Sequence, residues 1–144
     1  MEILRTILFT DAGNEINNWA LFAFRILLSV ELFRVHGLKK LRGSNGAAEN
    51  VPNPFRLPQK LNNLVATFSD TIVPAFVILG VGTRLFLLPT IGVTSVGYFV
   101  VHKKDPIEIR DIPYTYTVCL LFLLVMGAGS ISVDHYLYTM LSNN

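Results

Sequence analysis

Long apolar segments separated by short polar ones dominate the chain. Residues 112–133 form a run of 22 residues without a charged side chain, and residues 85–101 form a second run of 17. Residues 18–38 are apolar apart from a few ionisable positions, and residues 61–80 are apolar apart from Asp70. About 20 apolar residues in a helix are enough to cross the hydrocarbon core of a bilayer. A soluble bundle would show a polar face on every helix, so the pattern favours membrane-spanning helices.

The breaks between the apolar segments agree with this interpretation. Gly80–Thr83 is a tight link that joins two segments into a hairpin, and Pro58 and Pro113 fall where two segments begin, a position at which the missing N–H costs little. We therefore predict an all-α integral membrane protein, an antiparallel four-helix bundle. Its helices are expected at about 18–38, 61–80, 84–102 and 113–133.

Composition supports a single transmembrane domain over residues 1–144. Charged residues make up 15% of the chain, hydrophobic residues 51%, and the mean hydropathy is +0.48. The net charge of +2 is too small to indicate a nucleic-acid partner. Residues 1–17 are predicted to contain a short helix lying on the membrane surface, and residues 39–60 form the one long loop, of a length that is often functional.

Lysine and arginine are distributed unevenly between the two sides of the predicted bundle. One side carries eight of them, Lys39, Lys40, Arg42, Arg56, Lys60, Lys103, Lys104 and Arg110. The other side has only Arg5 and Arg84. Because cytoplasmic loops carry an excess of positive side chains, the loop 39–60 and the loop between the third and fourth helices are predicted in the cytoplasm, and both termini outside.

Ionisable residues lie within the predicted spans and are costly there unless paired. Helix rise places Asp70 within about 5 Å of the level of both Arg25 and Glu31, so an Arg25–Asp70 ion pair is predicted. Arg34 could pair with Glu31, three residues before it, or extend to the cytoplasmic surface. These charges could form a ligand or proton site, or they could only neutralise one another and fix the helix register.

Helical angles divide the first span into two opposite stripes. Arg25, Ser29 and His36 share one stripe, and Glu31 and Arg34 lie on the other. One stripe can face the centre of the bundle, and the other must meet a different neighbour or a partner protein.

Two histidines lie at the cytoplasmic ends of their spans. His36 and His102 are expected near Tyr114 and Tyr116, where aromatic side chains commonly form an interfacial belt. The alternative is that these residues hold the polar head of an amphipathic ligand or exchange protons with it. Two histidines without a third ligand do not indicate a metal site. Cys119 is the one cysteine, so any redox chemistry requires a cofactor, a substrate or a partner.

Several short motifs, in order, resemble the DoxX family of small bacterial membrane proteins over about residues 21–134. Besides the arginine in the first span, they are His36-Gly37-Leu38-Lys39-Lys40, the turn Leu79-Gly80-Val81-Gly82-Thr83-Arg84, and Gly127-Ala128-Gly129-Ser130-Ile131-Ser132-Val133-Asp134. The family often has Glu in span two where this chain has Asp70, and an acidic residue entering span four that could correspond to Asp111 or Glu108.

The resemblance implies a multi-pass protein of the bacterial cytoplasmic membrane with a quinone-linked function. The leading hypothesis is a membrane subunit that binds a quinone-like or other amphipathic molecule and supports redox chemistry with a membrane or soluble partner. Whether it is itself an enzyme stays open, no residue is assigned a catalytic role, and self-association is an open alternative. The rivals are a non-catalytic assembly subunit and a small transporter or lipid-handling protein. The expected polar core and ligand site comprise Arg25, Glu31, Arg34, His36, Asp70 and His102.

Overall fold

The computed structural model describes residue 8 and residues 11–42 and 51–142 of the chain. In that part of the chain there are five helices and no strands. Helix α1 covers residues 15–42, and α5 is Val133–Ser142. Between them lie α2 (Gln59–Leu79), α3 (Thr83–Val101) and α4 (Ile107–Met126). The all-helical prediction is therefore confirmed for the described residues.

Local sequence signals set several of the helix ends. The side chain of Asn14 accepts a hydrogen bond of 2.8 Å from the backbone N–H of Asn17 and so caps the start of α1. Gly80 and Gly82 have φ values of +68° and +55°, which only glycine adopts without strain, and they form the turn between α2 and α3. The predicted hairpin is therefore confirmed.

Three of the long helices contain a wider, π-helical turn. These turns are Phe33–Gly37 in α1, Phe68–Ile72 in α2 and Gly97–Val101 in α3. A Cβ added at Gly37 would overlap the backbone carbonyl oxygen of Asp70, so α1 and α2 are in backbone contact where their π turns meet. Because π turns interrupt the regular helix and often occur at functional sites, the level at which the two π turns meet is a candidate functional region.

The buried core is narrow and the outer surface is strongly apolar. Leu87 and Leu123 are fully buried, whereas Leu27 and Val125 are 70% and 75% exposed. Helices α2, α3 and α4 are each long and apolar enough to cross a membrane. Helix α1 packs against α2 but carries three charged residues in its central part. Membrane association is thus supported, and the four-span bundle stays a prediction.

The helix ends differ from the predicted ones at both ends of the fourth span. Helix α4 begins at Ile107 and ends at Met126, so Pro113 lies in its second turn instead of at its start. The predicted start was too late because hydropathy identifies only residues suited to lipid, and the first turn of α4 is charged. At the other end, Gly127 has a φ of +76° and ends the helix.

The first helix is also longer than predicted. It begins at Glu15 and continues to Arg42, so the beginning of the predicted loop 39–60 is helical. Most of the proposed surface helix, residues 1–7 and 9–10, lies outside the described residues.

Candidate functional site

A cavity of about 590 Å³ opens between the four long helices at one end of the protein. The segment 51–57 lies across it, and the end of α3 at His102 borders it. Most of the lining side chains are apolar, among them Leu32, Val65 and Ile112. Volumes of about 300–1,000 Å³ are typical of small-molecule sites, so the cavity could hold a ligand of moderate size.

The wall of this cavity contains an ion pair between α1 and α2. The ammonium group of Lys40 donates to the carboxylate of Asp70 and also to the carbonyl oxygen of Ala66, at 3.2 Å. The two charged side chains are only 11% and 8% exposed. The predicted Arg25–Asp70 pair is therefore wrong, because Lys40 occupies the position facing the carboxylate.

The predicted histidines both line the cavity. The ring of His36 lies edge-on to the ring of Tyr116, with 5.7 Å between centroids. His102 also borders the cavity, and its Nδ1 lies 2.7 Å from a carboxylate oxygen of Asp105. This contact with the Asp105 carboxylate orients the imidazole ring of His102 at the border of the cavity. His36, His102 and Tyr116 thus line the same cavity.

Arg25 lies away from the cavity, where α2 and α4 end. It is fully buried, and its guanidinium group donates to three backbone carbonyl oxygens, those of Ala128, Ile78 at 3.0 Å and Ile131 at 2.9 Å. Carbonyl groups at the C-terminal end of a helix lack partners within that helix and carry partial negative charge. Of the three acceptors, Ile78 lies in the last turn of α2, whereas Ala128 and Ile131 lie in the segment between α4 and α5. Arg25 therefore joins the end of α2 to this segment and does not line the cavity.

Two of the sequence motifs interlock at the same end as Arg25. The carboxylate of Asp134, at the start of α5, accepts hydrogen bonds of 2.7 and 2.9 Å from the backbone N–H groups of Gly82 and Thr83. In return, the side chain of Arg84 donates to the carbonyl oxygens of Leu124 and Val125 at 3.1 and 3.2 Å. The turn 79–84 and the segment 127–134 therefore hold helix ends together, and their role is structural.

The beginning of α1 is tied to this same end of the protein. The side-chain oxygen of Asn18 accepts a hydrogen bond of 2.7 Å from the backbone N–H of Ser130, and its amide nitrogen donates to Asp11 at 2.9 Å. This side-chain hydrogen bond and a second one from the backbone N–H of Gly13 hold the pKa of Asp11 below its usual value. The end of the protein opposite the cavity is thus closed by hydrogen bonds.

Glu31 and Arg34 lie on the outer face of α1. The guanidinium group of Arg34 donates two hydrogen bonds, of 3.0 and 2.9 Å, to the carboxylate of Glu31. Their side chains are 45% and 66% exposed, and neither lines the large cavity. The predicted pairing of Arg34 with Glu31 is confirmed. Glu31 instead borders a groove of about 360 Å³ between α1 and α4.

Sequence reasoning missed the role of Lys40. Lys40 was predicted only as a cytoplasmic positive charge, yet it lies four residues after His36 and therefore on the same helical face. A cation on the face that already carried a candidate ligand-binding histidine was the available signal. This signal was not used because the first helix was predicted to end at residue 38, before Lys40.

Two comparisons with known proteins found similar sequences. The DoxX family model matches residues 20–103 of the chain. A protein of Haemophilus influenzae, itself described as uncharacterized, is 36% identical over 123 residues, which covers 80% of this chain and 81% of that protein. No solved structure matches the chain.

Proposed function

Because the chain belongs to the DoxX family of membrane proteins, we propose that it binds an amphipathic, quinone-like molecule in the cavity between its long helices. We further propose that it supports redox chemistry on that molecule together with a partner protein. The observation that carries the proposal is a largely apolar cavity of about 590 Å³ whose wall includes the Lys40–Asp70 ion pair. The residues proposed to contact the ligand are His36, Lys40, Asp70, His102 and Tyr116.

The division of the cavity into apolar and polar parts supports an amphipathic occupant. Side chains such as Leu32 and Val93 suit a hydrocarbon tail or an aromatic ring. Lys40 can donate to a carbonyl oxygen of a ligand head group, since an ammonium group has donors beyond those used by Asp70 and Ala66. A few placed polar groups in an apolar pocket are what orient a small ligand.

The proposed redox role requires protons as well as electrons. Reducing a quinone to a quinol consumes both, and His102, oriented by Asp105 at the border of the cavity, is suited to exchange protons with water and the ligand. A single cysteine cannot form a redox-active disulfide within the chain, and in this proposal a partner protein supplies the electrons. This chain would then supply binding, orientation and protons.

The proposed position in the membrane follows from the positive side chains. Lys40, Lys103 and Lys104 lie at the cavity end of the protein, and cytoplasmic segments are enriched in such residues. We place the cavity at the cytoplasmic side of the bacterial inner membrane, with α1 to α4 all spanning it and both termini outside.

Thermal unfolding of the purified protein in detergent, with and without a short-chain ubiquinone analogue, tests ligand binding. A ligand that binds only the folded state raises the midpoint of unfolding, and we expect this rise in the parent protein. His36→Ala should abolish it. Glu31→Gln changes a polar residue of the same helix outside the cavity and should retain it. No rise with the parent, or equal loss in both variants, contradicts quinone binding in this cavity.

Extraction of bound lipophilic molecules and mass spectrometry separates the rival functions. A stoichiometric quinone in the purified protein supports the proposal. A stoichiometric phospholipid or fatty acid would favour lipid handling instead. An empty protein that co-purifies with another membrane protein would favour a non-catalytic assembly subunit.

A further inference from the structure

A second feature of the structure lies outside the cavity, on the outer face of α1. Ala23, Leu27, Val30 and Arg34 are all exposed and follow one another at intervals of four, three and four residues. This spacing is that of the seam along which two helices pack. The small Ala23 allows close approach of a second helix there, and Leu27 and Val30 can interdigitate with the side chains of that helix.

The charged end of this face lies at mid-depth in the protein. Tyr116 is the tenth residue of the 20-residue helix α4, about 14 Å from either helix end at 1.5 Å per residue. The groove that Glu31 borders is lined by α4 residues from Asp111 to Cys119, the fifth to the thirteenth of that helix, so the Glu31–Arg34 pair lies beside the middle part of α4. If α4 spans the bilayer, the Glu31–Arg34 pair lies within the hydrocarbon region, where exposing charged side chains to lipid is costly.

The groove beside this pair contains a second carboxylate. Asp111 lines it together with Glu31, Thr115 and Cys119. Within residues 11–42 and 51–142 no hydrogen bond or ion pair is made by the Asp111 side chain. Arg34 uses two donors for Glu31 and has others left. The face therefore presents both an available cation and an available anion.

We propose that this face, formed by Ala23, Leu27, Val30, Arg34 and the groove at Asp111, binds a second copy of the chain. A two-fold axis along the membrane normal would set two α1 helices side by side and direct Arg34 of each copy toward Asp111 of the other. The surface is self-complementary in charge, which is what an isologous dimer requires. The exposed Glu31–Arg34 pair is then removed from lipid.

Disulfide cross-linking in native membranes tests which face is used. In a Cys119→Ser background, Leu27→Cys should form a cross-linked dimer on mild oxidation, since the two-fold axis brings both copies of residue 27 together. Leu88→Cys is the matched control, because Leu88 is also an exposed leucine but lies on α3. Cross-linking at residue 88 with none at residue 27 overturns the proposal.

Charge variants test the chemistry of the contact. Arg34→Asp should weaken self-association in lipid nanodiscs by about tenfold, because two symmetric polar contacts are lost. Arg34→Asp combined with Asp111→Arg should restore it, and Lys103→Asp should leave it unchanged. Circular dichroism and a monodisperse elution profile establish that each variant is folded, and Arg34→Gln replaces Arg34→Asp if the latter is not.

Three further outcomes would overturn the proposal. The first is a parent protein that is monomeric in nanodiscs at all protein densities. The second is a dimer that Arg34→Asp leaves intact. Co-purification of a different membrane protein whose binding requires Arg34 also counts against a second copy and assigns the face to that partner.

Discussion

Asp70 and Lys40 form an ion pair across the contact between α1 and α2, at the wall of the cavity. Asp70 lies in the π turn Phe68–Ile72, and Lys40 lies in the last part of α1. Both side chains are almost fully buried. Each buried charge is therefore stabilised by the other, and a ligand that binds to either side chain would weaken the ion pair.

The first prediction is that this pair behaves as a coupled unit. Asp70→Leu and Lys40→Leu should each lower the free energy of unfolding by about 3–5 kcal/mol, because each strands a buried charge. The double variant should lose less than the sum of the two. Reversible thermal or denaturant unfolding in detergent micelles measures this, and strictly additive losses would show that the two side chains do not interact.

The second prediction concerns Arg25. Arg25→Met leaves three carbonyl oxygens without donors and should lower the free energy of unfolding by at least about 3 kcal/mol. Arg25→Lys should recover only part of this, because one ammonium group cannot reach all three carbonyl oxygens as the guanidinium fork does. Equal stability of the lysine variant and the parent would contradict the assigned role.

The third prediction distinguishes this arrangement from a pair between Arg25 and Asp70. Since the two residues have separate partners, Arg25→Met and Asp70→Leu should be additive in a double-variant cycle, within about 0.5 kcal/mol. Recovery of stability in the double variant would mean that the two charges do interact.

The fourth prediction concerns the carboxylate that links α5 to the start of α3. Asp134→Ala should cost about 1–2 kcal/mol, since the N–H groups of Gly82 and Thr83 lose their acceptor. Asp134→Asn keeps one acceptor oxygen and should cost less. Glu108→Ala, an exposed acidic residue at the start of α4, is the control and should be nearly neutral. A cost at residue 108 equal to that at residue 134 would refute the capping role.

The fifth prediction concerns orientation in the membrane. In a Cys119→Ser background, Glu15→Cys should react with a membrane-impermeant maleimide added to intact cells. Lys104→Cys, at the cavity end, should react only after the membrane is permeabilised. Both positions are exposed, so access depends on the side of the membrane. The reverse labelling pattern would place the cavity outside the cytoplasm.

The sequence by itself determined the helical character of the chain and the position of most helices. The apolar runs at 61–80 and 85–101 predicted α2 and α3 to within a few residues, because hydrophobic length is a local property. The turn at Gly80 and Gly82 was equally local, since glycine alone tolerates positive φ without strain. The Glu31–Arg34 pair followed from helical spacing along one segment.

Only the tertiary structure determined the partners of the buried charged side chains. Counting residues from the predicted helix ends set residues 38 and 61 at the same depth and so placed Arg25 and Asp70 at similar levels. In the fold Gly37 packs on Asp70, and Arg25 lies 12 residues, about 18 Å, away along α1. Counting residues also could not show that Arg25 would bind carbonyl oxygens of Ala128 and Ile131, more than 100 residues away. Contacts between distant segments depend on how the helices pack, and the local sequence pattern carries no information about that packing. For this reason the sequence predicted His36 and His102 near Tyr116, and all three line one cavity, while the Lys40–Asp70 pair and the interlocked motifs appeared only in three dimensions.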